Sequence, residues 1–423
     1  MRIGRISICI LSAFSVLAFG AVQLWSQAVL EIGTTILFLF WAFRALRQNE
    51  IRIHRNWIYL PLLGFWNLIL VQYGLGLSFG PYLTKIELFK WTFYLLLCFL
   101  AVEAFGTSEE RRRFAWFLLS FCFLVSLFAL IQYFTFNGKL YWIVALSQSS
   151  GPFGPFVNHN HFAGFIELAE PMGLALLLSG SERSERTPLL VLFTVLPVAA
   201  LALSASRGGI ISFLIQATLL AWILRRNIAG RIKLAAVSAL GTITLALVLW
   251  LGIGYTAQRF SNLASKDISR DTRMLIYKDA WRIFRSHPWA GTGAGTFVIV
   301  YPHYATHYNS LLVDHAHNDY LEFLSETGLF GALFGLGFIA ILFWRASANL
   351  RASRSSMAAQ KSALTRLLYA GGLVACVGLL LHGLVDFNLQ IPSNAALFLI
   401  LAGLTTSDAT QTHRGTSAGG QQT

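Results

Sequence analysis

Arg207, Arg273, His315 and His317 are the residues whose types and settings best suit chemistry. His315 and His317 lie in VDHAHNDYLE beside Asp314, Asp319 and Glu322, so imidazoles that titrate near ~6.5 sit among carboxylates able to orient them. A neutral imidazole in that setting is suited to accept a proton from a hydroxyl group. Arg207 stands in LSASRGGIIS between two apolar runs, where a guanidinium costs roughly 2.5–3.5 kcal/mol to insert and therefore marks a candidate site. Ser204, Ser206, Gly208 and Gly209 predict a polar helix break there, open to a bulky anion; an arginine that only snorkels to lipid head groups is the plainer alternative. Arg273 opens an amphipathic stretch in which Met274, Tyr277, Trp281 and Phe284 recur at helical spacing, with Arg273, Lys278, Arg282 and Arg285 on other faces. Asp271 would cap this helix and Pro288 end it, and its aromatic side is expected in the outer membrane interface. A merely solvated basic face is the alternative for Arg273.

Other polar islands interrupt the apolar pattern. Residues 151–171, GPFGPFVNHNHFAGFIELAEP, offer Asn158, His159, Asn160 and His161 ahead of a segment holding Glu167 and Glu170, whose carboxyls need a basic partner or a proton once buried. Residues 382–394, HGLVDFNLQIPSN, place His382 and Asp386 on one helix face at i and i+4. Islands converging on one side of a membrane predict a shared polar cavity, against the alternative of separate caps and packing features. Metal binding competes for the histidines, since His303 and His307 are four apart. Against it, His315 and His317 would point to opposite faces of a helix, Pro302 disturbs the first pair and H-E-x-x-H is absent. These histidines bonding to loop carbonyls is a further alternative. Gly291, Gly293 and Gly295 in GTGAG have no strand before them and no G-K-S/T after, so a flexible hinge is expected there rather than a phosphate cradle.

The elements that must position these groups are apolar. Of 423 residues, 56% are hydrophobic and only 12% charged, yet the net charge is +13. A soluble globular protein is excluded by that balance, and a nucleic-acid binder would cluster its basic residues on a polar domain. Spans of about 20 apolar residues are expected at 6–24, 28–46, 57–75, 88–105, 114–136, 161–180, 188–205, 208–224, 232–254, 326–344, 367–385 and 393–405. The first is expected to be an uncleaved span rather than a signal peptide. With the N-terminus in the cytoplasm, most of the 32 basic residues fall in cytoplasmic loops, and the short outer loops hold only Lys85 and Lys139. Orientation thus explains most of the charge. The predicted fold is all-α and polytopic, with about twelve spans and both termini cytoplasmic. Its expected divisions are helices one to five at 1–136, helices six to nine at 137–254, a long outer loop at 255–325, helices ten to twelve at 326–405 and a disordered tail at 406–423. Cys9, Cys98, Cys122 and Cys376 lie in apolar runs without metal-like spacing.

Together, SASRGG, the Arg273 helix leading into SHPWAGTGAGTF, HAHNDYLEFLSETGLFG and GPFVNHNHFAGF resemble the O-antigen ligase and O-antigen polymerase superfamily. Coverage runs from about Gly151 to the last span; the first five spans match only in hydropathy and topology. The resemblance implies a bacterial inner-membrane, inverting glycosyltransferase whose loop is periplasmic and whose donor is an undecaprenyl-diphosphate-linked glycan, with no cofactor and no metal. The family's diphosphate-holding arginines correspond to Arg207 and Arg273, with Arg270 or Arg282 as alternatives to the latter. Its essential histidine corresponds to His317, immediately before Asn318, with His315 the second choice; Asn158 and Asn160 match its polar asparagines before the sixth span, and His315, Asn318, Asn158, Asn160 and Arg282 are expected to bind substrate. Transfer to a lipid A core is the expected activity. Extension of O-antigen or exopolysaccharide by a polymerase is the alternative within the superfamily, and transfer to protein is a third option. A lipid-glycan flippase or transporter is more distant, because the titratable groups gather in one asymmetric loop rather than two related halves.

Overall fold

A computed structural model describes residues 2–48, 53–146, 151–179, 184–224, 270–307, 313–355 and 359–408. The described residues are helical, without a strand. The chain order is α1 (Arg2–Leu17), α2 (Leu24–Arg47), α3 (Tyr59–Gly74), α4 (Pro81–Ala104), α5 (Ser108–Phe134), α6 (His159–Ser179), α7 (Thr187–Ser204), α8 (Arg207–Leu224), α9 (Arg270–Ser286), α10 (Phe297–Tyr304), α11 (Asp319–Ser355), α12 (Ala359–His382) and α13 (Pro392–Thr406). Seven of these, α2, α5, α6, α7, α8, α11 and α12, are long and apolar enough to cross a membrane; α13 is a shorter apolar helix. The expectation of about twelve spans is therefore met only in part. The segments expected at 6–24, 57–75 and 88–105 do form helices, but α1 and α3 have 16 residues each and α4 carries Lys85, Glu87, Lys90 and Glu103. The expected span at 232–254, the first part of the long loop and the tail beyond Asp408 lie outside the described residues; of the tail expected from 406, Thr406 still belongs to α13 and Ser407 is buried.

Local chemistry sets the helix ends. Pro81 and Pro392 open α4 and α13 at positions where no backbone N–H is needed. Thr107 and Glu110 form a capping box at the start of α5. Asn158 starts α6: its side-chain oxygen accepts from Asn160 N at 2.8 Å, and its carbonyl from His161 and Phe162. Inside α6, Pro171 cannot donate to the carbonyl four residues back, that of Glu167. Gln216 of α8 donates to that carbonyl instead, at 2.9 Å, and also to Val374 O of α12 at 3.0 Å. One amide thus joins three helices where a proline would leave an unpaired group in hydrocarbon.

α12 packs along α6, α8, α11 and α13, and α6 also lies against α5 and α7. Ile32, Ile36, Leu39 and Phe43 of α2 point outward, each at least 59% exposed save for the neighbouring Phe40 at 45%. Such a face is stable against lipid and not against water; the protein is a membrane protein. At one end of the bundle Arg111 donates to Phe105 O at 3.0 Å and to Leu404 O at 2.7 Å. At the other end, the starts of α6, α8, α11 and α13 meet the ends of α7 and α12. There α9 and α10 form a small second core, in which Ile276, Ala280 and Ile283 pack on Phe297, Val300, Tyr301, Val313 and Ala316.

That packing gives α9 a buried stripe besides its expected aromatic side. Its buried stripe is Ile276, Ala280 and Ile283, whereas Met274 and Trp281 are 48% and 47% exposed. The backbone of α9 starts at Arg270 as Asp271 capping would require to within a residue or two, but the side chains of Arg270 and Asp271 lie outside the description.

Candidate functional site

Phe387, in the turn between α12 and α13, is the hub of the site. His315 stacks on its ring at 4.4 Å, and His161 and His317 meet it edge-on at 4.8 and 4.9 Å. Three imidazoles, two from the H-x-H pair and one from the start of α6, therefore share one aromatic surface. Asp386 is buried beside them, with Oδ1 3.7 Å from His317 Nδ1 and 2.9 Å from the N–H of Phe387. The first distance is an electrostatic contact rather than a hydrogen bond. Burial alone would raise the Asp386 carboxyl, but His317, His161 and His382 around it outweigh that and hold it well below the usual carboxylate range.

The two histidines of the H-x-H pair differ in setting. His315 Nδ1 bonds Glu322 Oε1 at 2.7 Å, and the other Glu322 oxygen accepts from Ala316 N at 2.7 Å. Burial pulls the His315 imidazole down, but the Glu322 carboxylate overrides it and lifts the group to about 9. His317 has φ +51°, a left-handed conformation costly for a residue with a Cβ, and Tyr277 of α9 donates to its carbonyl at 2.8 Å. Its Nδ1 is enclosed without a hydrogen-bond partner.

Arg273 and the helix start that carries Arg207 both approach Val385. Arg273 Nη1 donates to Val385 O at 3.2 Å, and its Nε is buried without a partner. Arg207 is the first residue of α8, after a break in which α7 ends at Ser204 and Ala205 takes φ +61°. The expected polar break is thus present. Ser206 accepts from Gly209 N at 3.2 Å, and a Cβ at Gly208 would sit 3.0 Å from Val385 Cγ2. The Arg207 side chain is exposed. Arg282 is elsewhere: nine residues beyond Arg273, about two and a half turns, it faces away and lies 3.6 Å from buried Asp279. Asp279 is already held by Thr306 N at 3.1 Å and Thr306 Oγ1 at 3.0 Å, with His307 Nδ1 3.7 Å away. His303, in turn, is exposed on α10.

The asparagines are mainly structural in their contacts. Asn318 caps α11 by accepting from Tyr320 N and Leu321 N, both at 3.0 Å, while its amide donates to Leu384 O at 2.8 Å. Asn158 caps α6, as above. Asn160 is buried beside His161.

GTGAG is not a hinge. Gly291, Gly293 and Gly295 have φ of +69°, +109° and +76°, and a Cβ on Gly291 would lie 2.2 Å from the backbone of Glu326. Gly295 N and Phe297 N donate to the Glu326 carboxylate at 2.9 and 2.8 Å, while Gln72 donates to Ala290 O at 2.6 Å and accepts from Ala294 N at 3.1 Å. The Gly295 and Phe297 amides thus hold the protein's own Glu326 carboxyl, and Gly293 N bonds the Glu326 carbonyl at 2.9 Å. Gly328, with φ +61° and ψ −158°, breaks α11 just beyond it, so Asp319–Thr327 is a separate arm that carries Glu322 and Glu326.

Sequence reasoning expected the HGLVDF and IELAE islands in a shared polar cavity but gave their own titratable residues no role in the site. Glu167 and His382 are both fully buried there, with Oε1 2.8 Å from Nδ1 but out of line for a hydrogen bond. The i, i+4 spacing of His382 and Asp386 was the available signal; nothing local singles out Phe387. Unpaired buried atoms gather in this region, among them His161 Nε2, Arg273 Nε, His317 Nδ1 and Asp386 Oδ2. Since buried polar atoms are ordinarily paired, such a group marks a place where a polar ligand would bind.

Residues 192–336 match the family model for O-antigen ligase, in agreement with the O-antigen ligase and polymerase superfamily. The matched stretch includes Arg207, Arg273, His315 and His317 and ends before His382 and Asp386. No curated protein matches the chain.

Proposed function

We propose that this protein is an O-antigen ligase-type glycosyltransferase that moves an oligosaccharide or polysaccharide from an undecaprenyl-diphosphate carrier to a hydroxyl of a lipid A core at the periplasmic face. The observation that carries the reading is the grouping, at one end of the bundle, of Arg273 and the helix start that carries Arg207 at Val385 with His317 and Asp386 on Phe387, the arginines and His317 falling inside the ligase-matching stretch. An exposed Arg207 at a helix start and a partly satisfied Arg273 suit a diphosphate, which takes planar, permanently charged forks. His317 accepts the acceptor's hydroxyl proton as that oxygen attacks the anomeric carbon; the carbon–oxygen bond to the diphosphate breaks, and the diphosphate leaves with the electron pair. A single displacement of this kind inverts the anomeric centre. Arg207 and Arg273 offset the charge that grows on the leaving group, so the chemistry requires no metal. Asp386, 3.7 Å from Nδ1, orients His317 and stabilises the imidazolium.

His317 is preferred over His315 as base because His315, lifted to about 9 by Glu322, already holds its proton at neutral pH. Arg282 is set aside as donor ligand because it faces Asp279. Supplied to a strain lacking the gene, Arg207→Ala, Arg273→Ala and His317→Ala are expected to lose glycan transfer by at least about 10²-fold, with normal membrane insertion. Lipopolysaccharide gels read the outcome. Loss of capped lipid A in the deletion strain supports the ligase, accumulation of single-repeat glycans supports the polymerase reading, and full transfer by His317→Ala removes the proposed base.

A further inference from the structure

The buried pair of Glu167 and His382 is left unused by the mechanism above. His382 is the last residue of α12, and its carbonyl accepts from Val385 N at 3.0 Å and Asp386 N at 3.1 Å, so it starts the turn that delivers Val385, Asp386 and Phe387. Its Nδ1 faces Glu167 Oε1 at 2.8 Å, while its other edge presses on the α8 start: a Cβ at Gly208 would lie 2.8 Å from His382 Cδ2 and Nε2. Glu167 lies close to the same turn: a Cβ at Gly209 would lie 3.1 Å from Oε1, with Ala163 Cβ nearer at 2.6 Å. Gly208 is thus the footprint of His382. Glu167 is itself fixed by Gln216 of α8, which takes the carbonyl that Pro171 leaves free.

We propose that Glu167 and His382 are positioning residues that set the aim of Arg207 toward the donor diphosphate. Resting on the donor site assigned under Proposed function, this adds what holds its exposed arginine in place. Glu167 fixes the imidazole of His382, the imidazole fixes the backbone of Gly208, and Gly208 fixes the first turn of α8 on which the arginine stands. Both side chains are closed off from solvent, at 0% and 1% exposure, so they act through Arg207 and not by touching the glycan. The carbonyl of the same His382 begins the turn that carries Asp386, so one buried pair keeps the anion-binding end and the proton-accepting end in register.

The test is equilibrium binding of undecaprenyl diphosphate, the carrier itself, to the purified full-length protein in detergent. Glu167→Gln is isosteric and is expected to raise Kd about tenfold, with the number of binding sites unchanged; Arg207→Ala raises it at least as much. Because the pair works through the arginine, Arg207→Ala with Glu167→Gln is expected to bind no more weakly than Arg207→Ala alone. A purely structural role would lower the number of sites and leave Kd as in the wild type, and that result overturns the proposal. Losses that multiply in the double variant overturn it as well, since the pair would then act on the ligand independently. If Arg207→Ala itself leaves Kd unchanged, the donor-site reading fails and this proposal fails with it.

Discussion

At the scale of single residues, environment separates groups of identical type. His315 and His317 are two positions apart and share Phe387, yet one is tied to Glu322 at 2.7 Å and the other has an unpaired Nδ1 facing Asp386. The consequence for stability has a definite sign. Because the folded His315 lies above its unfolded value of ~6.5, its pairing contributes stability that is complete below about pH 6.5 and lost as pH rises through about 9. Thermal melting of the wild-type protein should therefore fall between pH 7 and pH 10, and His315→Gln should flatten that slope. An unchanged slope in the variant would remove His315 as its cause. Arg207, Arg273 and the H-x-H pair were legible in the sequence because charge and titratability belong to the residue itself. That His317 and not His315 faces Asp386 was not legible, since both carry the same imidazole.

At the scale of elements, backbone conformations place the groups. The GTGAG segment reads as a hinge when only its glycines are considered, because glycine permits many conformations. In the fold those glycines are demanded by close approach and positive φ, and the segment is locked around Glu326. Gly291→Ala would combine a left-handed alanine with a clash against Glu326 backbone, so a loss of about 2 kcal/mol or more is expected. Melting temperature and the yield of monodisperse protein measure it; a variant as stable as the wild type would restore the hinge. The α9 helix was foreseen from its periodicity, but its inward face was not. Apolar residues lie on more than one side of α9, and only the partner surface of Phe297, Val300 and Tyr301 selects Ile276, Ala280 and Ile283.

At the scale of the whole molecule, the bundle segregates its polar groups by end. Arg111 and its carbonyl partners mark one end, and the imidazole cluster marks the other. From the loop charges we propose that the cluster end faces the periplasm. In spheroplasts, a membrane-impermeant maleimide should label cysteine placed by Lys278→Cys, on the exposed side of α9, and should reach Arg113→Cys only after permeabilisation. Cys98, Cys122 and Cys376 are buried and contribute little background. The opposite labelling pattern would invert the orientation and place the cluster in the cytoplasm.

The sequence by itself determined that the chain is helical and membrane-embedded, and which charged and imidazole residues stand out against an apolar background. These are local properties: hydropathy over a span and the chemistry of a side chain do not depend on what lies across the bundle. Only the tertiary structure decided which of those residues meet. His161, His317 and Phe387 are brought together from segments far apart in the chain, and Glu167 reaches His382 because Gln216 takes the carbonyl freed by Pro171 and draws α6, α8 and α12 together. The arm that carries Glu322 to His315 is likewise aimed by the break at Gly328. Such meetings arise from helix packing and from breaks satisfied by distant partners, and no spacing along the chain encodes them.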